Sequence, residues 1–193
     1  MKSLACGSLL GLLLGIGIGV PAGSMLGLAR EHKRLEHNKE LVRLNLEKVW
    51  SQRNTEAAVK AAREIYATDF VNHDWSGDSN GGLDQFANGL AENRASFPDW
   101  TEKVEALVAE ANFVAVRSVS TGTQAADLAA VAHIMPVIPN GRRHLRMPEL
   151  AIFRISNGKL AEEWNISDGW DANAQLGLFD PDHWPESACT QKR

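Results

Sequence analysis

The chain has 193 residues with a formal net charge of −4; 44% of its residues are apolar and 23% charged, ordinary values for one globular domain. The acidic balance argues against a nucleic-acid partner, whose footprint would be a basic patch. Cys6 and Cys189 lie near opposite ends and offer no intrachain disulfide framework, so the domain must hold by its apolar core.

The first 29 residues are a separate physical object. From Ser3 to Ala29 only the Cys6 thiol is ionisable, and a helix of that length would span about 40 Å against a hydrocarbon core of about 30 Å. Gly7, Gly11, Gly15, Gly19, Gly23 and Gly27 recur at an interval of four, a groove that lets helices approach closely in lipid. A retained anchor over residues 4–29 is one reading. The other is a secretory signal, with Lys2, the run Leu4 to Val20, Pro21 and Gly27-Leu28-Ala29 before a cleavage at Arg30. The run exceeds the usual h-region of about 7 to 15 residues, which favours the anchor. Arg30, Lys33 and Arg34 outnumber Lys2 and favour a cytoplasmic domain, whereas a signal peptide would place it outside. The expected organisation is a hydrophobic segment at 1–29, one domain at 30–182 and a tail at 183–193.

Leu35, Val42, Leu46 and Val49 recur at near-helical spacing and predict a first helix. Asn54-Thr55 offers a break and an N-cap, and Ala58, Ala61, Ala62 and Ile65 form a second apolar stripe, read as continuing through Tyr66. After Phe70, Val71 and His73 comes a polar loop over 76–82, then a short third helix through Phe86 and Leu90 that Phe97-Pro98 ends. Two strands follow, Lys103 to Ala109 and Phe113 to Thr121, joined at Glu110-Ala-Asn112; their alternation fits a sheet with differently solvated faces. Residues 124–140 read as a short helix or an insertion, since Pro136 and Pro139 forbid a central strand. A strand from Arg142 passes Pro148, which predicts a bulge or an edge.

The last third carries the strongest local signal. Asn157-Gly158 predicts a type I′ hairpin, because that turn needs positive φ at both central residues. Phe153 and Ile155 alternate with Ile152 and Arg154 before it, and a period of two afterwards puts Glu162, Trp164, Ile166 and Asp168 on one face. Glu163 and Asn165 fall on the other. Asp168 beside a tryptophan and an isoleucine is in a setting that raises a carboxyl pKa and suits a proton donor. Asp171 is the fallback, and a helical turn over 171–179 closes the chain.

Phe97-Pro-Asp99, the strand pair Val104 to Thr121, Asn140-Gly-Arg-Arg143 and Phe153-Arg-Ile-Ser-Asn-Gly-Lys-Leu-Ala-Glu-Glu-Trp164 followed by Asp168 resemble the SnoaL-like polyketide cyclases of the NTF2-like superfamily, and Glu64 to Asp74 is similar to that family's segment closing the second helix. The resemblance spans about Asn38 to Asp180. It implies an α+β cone, a curved and mostly antiparallel sheet covered by N-terminal helices around an apolar pocket, usually homodimeric, here preceded by one hydrophobic helix. It also implies that the carboxylate following the Glu-x-Trp strand, Asp168 here, is the general acid/base.

The six histidines form no H-x-H or H-x-x-x-H pair and no G-x-S-x-G or nucleotide-binding glycine loop occurs, so no metal and no cofactor are expected. Acid/base chemistry remains, with Asp168 and His73 as catalytic candidates and Trp164, His144, Phe70 and Ile166 as substrate-binding ones. Each has a plainer role open to it: an N-cap for Asp168, a bond to a loop carbonyl for His73, pocket wall or core for Trp164. Three functions fit: a cofactor-independent cyclase or isomerase acting on a small apolar carbonyl compound, a non-catalytic module binding a small apolar ligand, and a membrane-attached oligomerisation module. A steroid-isomerase-like site would want an oxyanion-hole tyrosine, and the single tyrosine, Tyr66, is expected on the second helix.

Overall fold

The computed structural model describes residues 22–74, 77–79, 82–128 and 137–179. Helix α1 (Ala22–Leu44) runs into a π-helical turn (Asn45–Trp50), and α2 (Thr55–Ile65) leads into β1 (Tyr66–Asp74) and β2 (Gly77–Ser79). Then come α3 (Gly82–Ser96), β3 (Thr101–Glu110), β4 (Phe113–Thr123), β5 (His144–Ser156), β6 (Lys159–Ser167) and α4 (Gly169–Gln175). The strands form one six-stranded sheet in the order β2-β1-β6-β5-β4-β3, antiparallel throughout except for the parallel β1–β6 pair. This is the α+β cone expected from the sequence. The apolar segment before Ala22 lies outside the described residues, as do residues 129–136 of the 124–140 region and the tail; among the described residues no helix is long and apolar enough to cross a membrane.

Local chemistry explains the boundaries. The Asn54 carboxamide oxygen accepts from the Ala57 N–H at 2.9 Å and starts α2, whose Ala58, Ala62 and Ile65 pack inward. Gly82 opens α3 at φ +62°, where a Cβ would stand 2.5 Å from the Thr68 carbonyl oxygen. Asn157 and Gly158 take φ values of +50° and +72°, as the hairpin turn requires.

Three expectations are corrected. Tyr66 begins β1 instead of ending the helix, because α2 stops at Ile65 and its successor is already extended. Residues 77–79 are not loop but the edge strand paired with β1. Pro148 sits without a bulge in the continuous β4–β5 ladder; it has Val119 opposite on one side, while on the other β6 has already ended at Ser167 opposite Glu149. That proline therefore lacks a ladder neighbour on one side, so the bulge is corrected while the edge position is found.

The fourth correction decides the site. Ile155 pairs with Leu160, but Arg154 pairs with Glu162, so Ala161 is an extra residue, a β-bulge. Without it Phe153 would face Glu162; with it Phe153 faces Glu163. A one-residue slip exchanges the two faces of a strand. Beyond the bulge, Glu163 and Asn165 therefore point into the cone, and Glu162, Trp164 and Ile166 point outward, the reverse of the sequence expectation.

Packed between the helices and the inner sheet face is the main core, with Val42, Val49, Ala58, Leu90, Phe153 and Leu160 among its members. A second cluster around Phe97, Trp100, Leu145 and Leu178 seals the side where α4 returns.

A candidate acid/base cavity

Between the helices and the inner face of the sheet lies a cavity of about 680 Å³. Its walls are largely apolar, with Leu46 and Trp50 from the π-helical turn, Trp100 before β3, Val116 from β4 and Phe153 from β5. The π-helical turn is fixed at both flanks. Ser51 Oγ accepts from the Glu102 N–H at 2.8 Å, and the Arg94 guanidinium of α3 donates to the carbonyls of Gln52 (2.9 Å), Val49 (3.2 Å) and Trp50. These bonds satisfy carbonyls that the helix end leaves without partners. Trp100 is held next to a second clamp, in which both Asp99 carboxylate oxygens accept from Thr123, from its N–H at 2.6 Å and its hydroxyl at 2.7 Å.

Three carboxyls enter this apolar space: Glu102 at the start of β3, Glu149 on β5 and Glu163 on β6. Glu163 is the most enclosed at 7% exposure, and its pKa is pushed up to about 8, first by burial and then by the charge of Glu149, with a hydrogen bond from Asn165 opposing. Burial, then the charge of Glu149, raises Glu102 well above the carboxylate range, although Trp100 Nε1 donates to its Oε1 at 3.1 Å. Glu149 is raised by burial alone, against donations from the Ser120 hydroxyl and from Asn165 Nδ2 at 3.2 Å. Glu149 is thus the carboxyl whose charged form is supported, and its ionisation keeps protons on the other two. Environments that push neighbouring carboxyls apart in pKa set up an acid and a base in one site.

Asn72, opposite Glu163 on β1, lines the same cavity, and its Oδ1 is buried without a protein partner. Tyr66, wholly buried beside the cluster, donates from its hydroxyl to Asn45 Oδ1 at 2.6 Å; burial first, then the charges of Glu163 and Glu102, raise its pKa well above the usual phenol value.

Of the residues singled out from sequence, His73, Trp164 and Ile166 line the cavity, whereas Asp168, His144 and Phe70 do not. Asp168 is exposed; its carboxylate accepts from the Asp171 N–H at 2.9 Å and caps α4, so the apolar setting expected around it is not found. Asp171, the fallback, stands in the first turn of that helix and receives a bond from Gln175 at 2.6 Å. His73 is on β1. Its ring stacks on Trp164 at 4.8 Å and 6°, and its Nε2 lies 3.4 Å from Glu162 Oε2. His73 and Trp164 are among the residues lining the cavity, as is Ile166, which is 76% exposed. His144 is exposed at the start of β5, with Nδ1 3.4 Å from the Thr123 hydroxyl. Phe70 belongs to the core, edge-on to Tyr66 and Phe86. Glu102, Glu149 and Glu163 were missed; the signal that could have found Glu163 is the inward parity of Phe153 carried across a bulged hairpin. Among the described residues no group of His, Cys, Asp and Glu could hold a metal ion.

The profile of the SnoaL-like polyketide cyclases matches residues 40–176, most of the chain. The chain belongs to this family. A SnoaL-like family member of Jannaschia sp. CCS1, assigned as a polyketide cyclase, superposes with a TM-score of 0.62 at 20% identity over 73% of this chain and 92% of that one. AclR of Streptomyces galilaeus, assigned as a hydroxylase, gives 0.59 at 18% identity over 74% and 97%. IdmH of Streptomyces antibioticus, assigned as a polyketide cyclase, gives 0.53 at 27% identity over 69% and 96%. The first two likenesses are likenesses of fold. No curated protein matches the chain. This SnoaL-like chain thus shares its fold with two structures assigned as polyketide cyclases and one assigned as a hydroxylase.

Proposed function

We propose that the protein is a cofactor-independent cyclase or isomerase acting on a small, largely apolar carbonyl compound by proton transfer. The observation that carries this reading is the meeting of Glu102, Glu149 and Glu163, from three strands, in one apolar-walled cavity. Family membership supports the reaction class. Glu149, the carboxylate, removes a proton from the carbon next to the substrate carbonyl; the C–H electrons form the enol double bond while the Glu163 carboxylic acid protonates the carbonyl oxygen. In an isomerisation the enol is reprotonated at another carbon. In a cyclisation the enol carbon attacks a second carbonyl, whose oxygen takes the proton now on Glu149, and the enol hydroxyl returns its proton to Glu163. The apolar walls exclude water and strengthen each of these contacts.

The reading includes a homodimer through the outer sheet face. Val108, Ala115, Ile152 and Trp164 lie in one register row across four strands, and Phe113, Leu150 and Ile166 extend it, all exposed. The ion pairs Arg117–Glu105 and Arg154–Glu162 bring both signs of charge to that face. A second copy related by a two-fold axis can match such a face to itself.

The test is exchange of α-protons for deuterium in a panel of ketones and β-dicarbonyl compounds, followed by NMR. Glu149→Gln should exchange about 10²-fold more slowly or worse, a typical scale for a positioned base, with ligand affinity kept, and Asp168→Asn should match the wild type. Exchange by Glu149→Gln at the wild-type rate would remove the assignment.

A further inference from the structure

The first half of α1 is exposed from Met25 onward in spite of an apolar composition. Met25, Leu26 and Leu28 are 62%, 62% and 68% exposed, and every residue from Met25 to Arg34 is exposed. The helix meets the sheet only from Arg34 onward, where its guanidinium donates to Asn112 Oδ1; Asn38 Nδ2 then donates to the Ala111 carbonyl at 3.4 Å. Twelve residues of helix therefore project beyond the β3–β4 turn, about 18 Å. They are apolar on all sides to Ala29. Upstream of Ala22 the sequence from Ser3 holds no Asp, Glu, Lys, Arg or His, so the tip continues an apolar stretch whose length matches a hydrocarbon core. Immediately after it come Arg30, Lys33 and Arg34; Arg34 is paired with Glu31 at 2.7 Å, which leaves Arg30 and Lys33 as the basic collar that suits anionic headgroups.

The cavity opens at the other end of the cone. α1 runs from the β3–β4 turn toward Leu46 and Trp50, and the polar lining comes from the start of β3 (Glu102), from Glu149 on β5 and from the end of β6 (Ser167). The β5–β6 hairpin tip lies at the stalk end, since the Ile155 N–H donates to the Asn112 carbonyl at 2.8 Å. From Arg154, beside that end, to Glu149 is five residues of strand, about 17 Å.

We propose that the N-terminal half of α1 is a stalk seated in an anionic bilayer, holding the domain with its hairpin end toward the headgroups and its cavity mouth turned away into water. From Leu28 to Arg34 is about 9 Å of helix, comparable with the headgroup layer, so the two β-turns rest close to the surface. The ligand then enters from the aqueous phase and not directly from the membrane, whichever chemistry the cavity performs.

The experiment uses the full chain carrying Cys6→Ala and Cys189→Ala, with one added cysteine bearing an environment-sensitive fluorophore, in phosphatidylcholine vesicles containing phosphatidylglycerol. Leu28→Cys should give a label quenched by lipids spin-labelled in the acyl chain and shielded from iodide. Ser167→Cys and, as an independent mouth position on α3, Asn93→Cys should give the opposite pattern. Lipid quenching at either mouth position would overturn the orientation. A label at residue 28 quenched only by iodide, protein left in the supernatant, or a mature chain from cells beginning at Arg30 would overturn the stalk.

Discussion

Replacing Glu163 by glutamine should change how stability depends on pH, in a direction set by its burial. In the unfolded chain this carboxyl titrates near 4.5, and in the folded cavity near 8. Between those values the unfolded state holds fewer protons than the native one, so stability falls as pH rises, by up to about 1.4 kcal/mol per pH unit from this group. The favourable contribution is complete below the unfolded value and is lost as pH rises through the folded one. From pH 5 to pH 8 the loss is about 3 to 4 kcal/mol, a large share of the total stability of about 5 to 15 kcal/mol of a domain. Burial at 7% exposure means that solvent screening does little to reduce it. Glutamine keeps the shape and cannot ionise, so the variant should lose that portion of the slope and exceed the wild type at pH 8. Urea denaturation at pH 5, 6, 7 and 8 and constant ionic strength measures both. A variant whose unfolding free energy declines as steeply as that of the wild type would refute the placement of Glu163 among like charges in the cavity.

Asp168→Ala should cost about 1 kcal/mol by removing the α4 cap, read as a lower urea midpoint, with proton exchange on the substrate unchanged. Tyr66→Phe should cost about 1 to 3 kcal/mol, because it leaves the buried Asn45 carboxamide oxygen without its donor, and thermal unfolding would show it. Ile152→Arg, at the centre of the outer apolar row, should convert a dimer to a monomer in analytical ultracentrifugation without lowering the helical circular dichroism signal.

The fold was legible because its punctuation is local. Asn54 capping, the stripe of α2, the Phe97-Pro98 stop and the Asn157-Gly158 turn each act within a few residues, and each stands where the pattern puts it. The facing of β6, and with it Glu163, was not, because it depends on one unpaired residue. The size of Trp164 favours an inside position, and in a hairpin of even pairing Phe153 would bring Glu162 and Trp164 inward with it. Ala161 breaks that count. Alanine carries no mark of a bulge, and a strand with Glu at both 162 and 163 gives hydropathy no way to choose a face. Tyr66 was misassigned for a related reason: the apolar stripe of α2 runs on into a buried strand, and a continuous apolar pattern does not announce where its period changes from 3.6 to 2.

The parallel pairing of β1 with β6 has a consequence for how the cavity comes into being. β3, β4, β5 and β6 follow one another as hairpin neighbours and can zip in sequence, but Tyr66 meets Leu160, and Asn72 meets Glu163, only after nearly the whole domain has been made. Closing so long a loop is entropically costly before any contact compensates it, and such pairings are slow. On the ribosome, the helices and β1 emerge first and wait for the last strand. The carboxyl cluster is therefore assembled late, and the wall bearing Asn72 and His73 is the final piece to close over it.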